Sequence, residues 1–181
     1  MPALAIWSPE DEVLGAVAPL ALGAAAGTAL VVDLDPDGPQ YPGAVTLASL
    51  VGDGPTKADL TPPRRGVAVV RNGGVDPHDA EAVLEALVSG WPAVVFRLPS
   101  HHPGDGRAVP VVPLTPGSLL RRFPGPAIYQ RSAWRVRMPA EGVVLPRPAS
   151  GTIGALLAGR LPHPHDRWIR SWRQVWRQPW G

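Results

Sequence analysis

Four short runs of almost uninterrupted apolar residues, set between helix-like stretches, restrict what this chain can fold into. They read ALAIWS (3–8), ALVVDLD (29–35), VAVVR (67–71) and AVVFRL (93–98). None shows the in/out alternation of a strand with one wet face. Strands apolar on both faces belong to parallel sheets covered by helices on both sides. The intervening stretches supply those helices. Val13–Ala26 is an apolar helix preceded by Glu10, Asp11 and Glu12, which favour its N-terminal dipole, and Gly27 stops it. A short helix is expected around Ala44–Val51. An amphipathic one is expected over Pro77–Val88, with Asp76 as N-cap and Pro77 in the first helical position. Further short strands are expected at 108–114, 126–130 and 142–146, separated by Pro/Gly-rich connections, and a short helix over Thr152–Arg160. The fold class that follows is α/β, a mostly parallel sheet with helices on both faces. At 181 residues and 45% hydrophobic content the chain suits one domain, and 24 prolines and 20 glycines foretell many turns.

The absence of cysteine excludes disulfide scaffolds, thiol catalysis and zinc sites built on thiolates. The apolar stretch 13–32 contains Pro19, is rich in Ala and Gly, and follows three acids where a signal peptide would carry basic residues. A cytoplasmic chain is therefore expected, with contact to a membrane surface left open. Residues 1–90 carry 12 Asp/Glu against 4 Lys/Arg and residues 91–181 carry 3 against 13, so the halves stand at −8 and +10. Opposite halves can pack on one another, and a basic C-terminal portion also attracts anionic partners.

The segment IWSPEDEVLGAVAPLALGAAAGTALVVDLDPDG (6–38) resembles the start of the ParA/MinD-type P-loop ATPases. In that family a strand leads through a K-G-G-x-G-K-[ST] motif into a helix and then a strand ending in D-x-D-P. The resemblance continues more loosely through VVFRLPS (94–100), at the place of the switch II strand, and VVPLTPGSL (111–119), like the strand after it. It covers about the first 120 residues, and only the first 40 are specific. It implies a truncated P-loop-NTPase-like domain over residues 1–164, followed by a C-terminal segment 165–181.

The chemistry departs from the family pattern. The loop reads Pro9, Glu10, Asp11, Glu12, with Glu10 at the signature lysine, Gly15 at the Walker lysine and Ala16 at the Mg²⁺-binding Ser/Thr. The single lysine of the chain is Lys57, so no shifted alignment restores the motif. Three acids near the phosphate positions would repel a triphosphate by about 1 kcal/mol or more per close pair. Asp33 and Asp35 match the family's switch I acids, yet without a phosphate to act on they are expected to be solvated or to cap nearby amides. At the switch II position stand Leu98, Pro99 and Ser100, with no Asp. The resemblance thus implies a pseudo-ATPase with no catalytic residues, no nucleotide cofactor and no metal. Its role would be that of an adaptor to a protein partner, such as a true ATPase of the family or a membrane-associated pilus or division machinery. Family members dimerise face to face across the nucleotide, so a degenerate copy would cap an active one.

Other constellations are weaker. His101–His102 and His163-Pro164-His165-Asp166 lack ligand spacing and read as loop histidines. Ser8, Ser100 and Ser118 sit in no nucleophile elbow. The rival from another class is a nucleotide-dependent enzyme with an unrecognised site, for which Asp33, Asp35 and His101 would be the candidates. The C-terminal DRWIRSWRQVWR (166–177), placed on one helix, aligns Trp168, Trp172, Val175 and Trp176 along a stripe beside Ile169, with Arg167, Arg170, Arg173 and Arg177 on the flanks. Docking of this helix on its own domain is the leading expectation, with Trp180 left exposed beyond Pro179. Peripheral membrane contact and a protein partner are the alternatives. Nucleic acid ranks last, because no binding fold accompanies the arginines.

Overall fold

The computed structural model describes residues 3–62, 64–101, 108–117, 125–136, 141–160, 162–163 and 165–180. Its centre is a seven-stranded sheet in which every pairing is parallel: β1 (Ala3–Trp7), β2 (Thr28–Asp33), β3 (Gly66–Val70), β4 (Val94–Arg97), β5 (Ala108–Leu114), β6 (Ile128–Arg131) and β7 (Val143–Leu145), in the order β3-β2-β4-β1-β5-β6-β7. One face carries α1 (Glu12–Ala26), α4 (Ser150–Leu157), α5 (Arg167–Ser171) and a 3₁₀ segment (Trp172–Arg177). The other face carries α2 (Leu47–Asp53) and α3 (Glu81–Gly90). Successive residues of β2 divide between the two cores, Val31 to the first and Leu30 and Val32 to the second. This is why the strand reads apolar throughout.

Helix α1 is buried almost all round, from Leu14 to Ala25, because the sheet lies on one side of it and α4, α5 and the 3₁₀ segment on the other. That position explains its membrane-like composition without a membrane. Small residues let it approach closely: a Cβ on Gly23 would lie 3.2 Å from Val31 Cγ2 and 3.3 Å from Val67 Cγ1. No helix of the described residues is long and apolar enough to cross a bilayer.

Several expected boundaries move for local reasons. Strand β2 ends at Asp33 and not at Asp35, since the Asp33 carboxylate accepts the Asp35 amide at 3.1 Å and turns the chain. Helix α2 begins at Leu47 and not near Ala44, set by a reciprocal capping box between Thr46 and Ser49. The helix expected from Pro77 starts only at Glu81. Asp76 caps the preceding turn through the His78 amide at 2.8 Å, and residues 76–81 close i→i−3 bonds before α-helical bonding begins. Helix α4 likewise starts and stops earlier than the expected Thr152–Arg160.

The C-terminal stretch is not one helix. A single α-turn from Asp166, whose carboxylate accepts the Trp168 and Ile169 amides, passes at Trp172 into 3₁₀ geometry. Three residues per turn keep Trp172 and Val175 on one face. Trp168, Ile169, Trp172 and Val175 are buried in the α1 core, while Arg167, Arg170, Arg173 and Arg177 face solvent. Trp176, which a continued α-helix would have placed in the stripe, is only half-buried and donates to the Leu22 carbonyl at 3.0 Å. Trp180 is half-buried where it was expected to be exposed, because its indole N–H reaches back to the Val175 carbonyl at 2.8 Å.

Candidate functional site

In an open parallel sheet, ligands bind beyond the C-terminal strand ends, where the winding reverses. Here the C-terminal ends of β2, β4 and β1 bring together the loop 8–12, the acids after β2 and the end of β4. The loop does not form an open anion cradle. Asp11 is the N-cap of α1, its carboxylate accepting the Leu14 amide at 2.8 Å, so a side chain of the protein occupies the positive helix end. Pro9 is half-buried and Glu10 and Glu12 are exposed. A Cβ on Gly15, the position aligned with the expected Walker lysine, would meet Ser8 Cβ at an ordinary 3.5 Å, so the backbone there does not require glycine for space. The carbonyl of Ala16 accepts the Tyr41 hydroxyl at 2.7 Å, and burial pushes that phenol well above its ordinary range.

Asp33 and Asp35 do cap amides, but they are buried and not solvated. Register sets Arg97 opposite both Asp33 on β2 and Ile6 on β1. Its guanidinium, 2% exposed, binds Asp33 Oδ2 at 3.2 Å and Asp35 Oδ2 at 2.7 Å, and donates to the Pro39 carbonyl at 2.7 Å. The Tyr41 ring lies 5.2 Å below it. The other oxygen of Asp35 accepts the amides of Asp37 and Gly38. Gly38 has to be glycine, since a Cβ there would overlap Arg97 Nη2 and Asp35 Oδ2. These are the only ion pairs among the described residues. The space left between this cluster and α1, lined in part by Ser8, Glu12, Asp35 and His101, is about 70 Å³. Ligand sites usually enclose roughly 300–1,000 Å³.

Burial pushes the Asp33 carboxyl up to about 6, against the opposing pull of Arg97 and of the Asp35 amide. Between about pH 4 and 6 an unfolded Asp33 is ionised while the folded one still holds its proton. Its contribution to stability is therefore full at the acid end and declines as pH rises through that window. Asp33→Asn cannot titrate and is expected to remove this decline. A urea-midpoint profile identical to that of the unaltered protein over pH 4–7 would assign the decline to some other group.

The remaining candidates do not assemble. His101 borders the small cavity, while His163 and His165 face each other at 5.4 Å on a distant loop. No metal-ligand cluster forms among the described residues. His102, Ser118 and Pro164 lie outside the described residues. Ser8 is buried beyond β1, and its hydroxyl hydrogen-bonds to none of the acids or the histidine that share its cavity. In the C-terminal segment the Trp168 indole donates to Gln130 Oε1 at 2.7 Å and meets Trp172 edge-on at 5.7 Å. Both rings are thus committed to the core. The residues missed from sequence are Arg97, Tyr41 and Gly38. The available signal was a lone arginine in the apolar run AVVFRL, a charge that must find a partner if the strand is buried. No protein-family model and no curated protein matches this chain.

Proposed function

We propose that this chain is a non-catalytic pseudo-ATPase of ParA/MinD-like architecture that acts as an adaptor or regulatory partner in a protein assembly. The observation that carries this is Arg97: a built-in cation neutralises Asp33 and Asp35, the two acids that a nucleotide-bound metal would otherwise engage. Asp11 at the α1 N-terminus and the small volume of the cavity support the same reading. The partner proposed is a protein, and a true ATPase of the same architecture fits best, because the C-terminal strand edge is the face such proteins pair through. The C-terminal segment is not assigned as a membrane anchor, since Trp168 and Trp172 are buried within the domain.

Millimolar ATP with Mg²⁺ is expected to leave the melting temperature unchanged. A ligand at one hundred times its Kd would add about 2.7 kcal/mol, which for a domain of this size is a rise of roughly 5–10 °C. A rise of that kind that disappears in Asp35→Asn would overturn the pseudo-ATPase assignment.

A further inference from the structure

A crevice of about 700 Å³ opens one strand beyond the blocked loop, between the N-terminal turns of α1 and α4 and the C-terminal ends of β5 and β6. Its place in the topology is telling. From β1 the chain goes out to β2 and β3, returns to β4 between β2 and β1, and then passes through β5, β6 and β7 on the other side, so the neighbours β1 and β5 send the chain in opposite directions. That is where open α/β sheets hold ligands. The volume is also that of a small-molecule site.

The wall is apolar: Leu14 and Val17 of α1, Pro113 of β5, Ile153 of α4 and the edge of Trp168, with Val13 on the rim at 52% exposure. Most polar groups along it are already engaged. Asp11 holds the Leu14 amide, and Gln130 gives its oxygen to Trp168 and its amide hydrogens to the Arg131 and Pro146 carbonyls. The Ser132 hydroxyl is bound to the Leu114 carbonyl. Two guanidinium groups are not engaged. Arg131 and Arg147 both line the crevice and are exposed, and neither side chain makes an ion pair or hydrogen bond among the described residues. Helix α4 enters the same space through Ala149, which offers no side-chain cap for the first amides. Two lining groups can accept, the second oxygen of Asp11 and the Ser150 hydroxyl, but the charged donors are the two guanidinium groups, which outnumber the single carboxylate.

We propose that this crevice binds a small amphiphilic anion, an apolar body bearing one carboxylate or phosphate, with the head group on Arg131 and Arg147 and the body against Leu14, Val17 and Ile153. The crevice shares Asp11 with the acidic loop but requires no phosphate-loop chemistry, and it suits an adaptor whose partner binding responds to a ligand. The test uses the full chain with octanoate and octyl phosphate as probes, and octanol, acetate and inorganic phosphate as controls, followed by calorimetry and by the Trp168 indole N–H resonance. Octanoate, octyl phosphate or both are expected to bind and to shift that resonance, with all three controls at least about ten-fold weaker. The double variant Arg131→Gln/Arg147→Gln is expected to keep the melting temperature of the free protein and to lose binding about ten-fold or more. A second variant, Val13→Glu, places a like charge on the exposed rim and is expected to weaken both anions while leaving octanol unchanged. Failure of both anions to bind at millimolar concentration, equal binding of octanol, or full binding by the double variant would each overturn the proposal.

Discussion

Arg97→Met is expected to destabilise the protein by about 3–5 kcal/mol at neutral pH, because it strands two carboxylates in a site built to hold a cation. Asp33 is fully buried and Asp35 nearly so, and a domain of this kind has only about 5–15 kcal/mol to lose. The deficit should depend on pH with a definite sign. Desolvation already raises Asp33 to about 6 against the pull of Arg97, and removing that pull raises it further. A carboxyl raised in the folded state supports folding most below its unfolded pKa and less as pH climbs through the folded value. Urea midpoints should accordingly show the variant's deficit shrinking as pH falls from 7.5 to about 4.5. Arg97→Lys keeps the charge but cannot reproduce three directed hydrogen bonds, so it should fall between. Replacing all three residues together, Asp33→Asn, Asp35→Asn and Arg97→Met, should recover most of the loss, since the penalty lies in unpaired charge and not in the absence of the pair. A deficit under about 1 kcal/mol, or one independent of pH, would mean that the cluster does not couple as its distances imply.

The second large effect is expected at Trp168. The ring is 1% exposed, stacks edge-on with Trp172 and satisfies Gln130. Trp168→Ala should cost about 3–5 kcal/mol, the cavity and the orphaned amide oxygen acting together. The series should be graded by burial. Trp176→Ala, at a half-buried ring, should cost less than half as much, and Trp134→Ala, at a ring 65% exposed, should stay within about 0.5 kcal/mol. Chemical denaturation followed by circular dichroism measures all three without relying on indole fluorescence. Truncation before Asp166 should leave a chain that does not fold, whereas a stable truncated domain would return the segment to the status of a detachable helix.

Much of the architecture was legible because it is written locally. Strand β5 falls on 108–114 as its apolar run implies, and α1 stops at Gly27, whose φ of 89° few other residues adopt. That the loop 9–12 carries three acids and no lysine was legible from residue identity alone. What could not be read was pairing across the sheet. Asp33 and Arg97 are 64 residues apart, and nothing in either run says that β4 lies between β2 and β1. Without that order Arg97 looks like the end of a strand and Asp35 like a surface acid. The change to 3₁₀ winding at Trp172 was hidden for a related reason. Both helix types place residues 172 and 175 on one side, and only docking against α1 decides which side Trp176 takes. The crevice beside β5 and β6 draws on five elements, so no single stretch of sequence announces it.

The covering of α1 by residues 168–176 has a consequence for synthesis. Trp176 hydrogen-bonds to Leu22 across 154 positions, and Trp168, Trp172 and Val175 close the outer side of the same helix. At elongation rates of about 5–20 residues per second, the apolar helix made first would wait on the order of ten seconds or more for its cover. During that interval it presents the ribosome's surroundings with an uncovered Leu/Val/Ala surface and a sheet that has only neighbours on one side. Such a nascent chain is a natural client for a holding chaperone, and its final step of folding waits for residues 168–176 and not for the emergence of its first half.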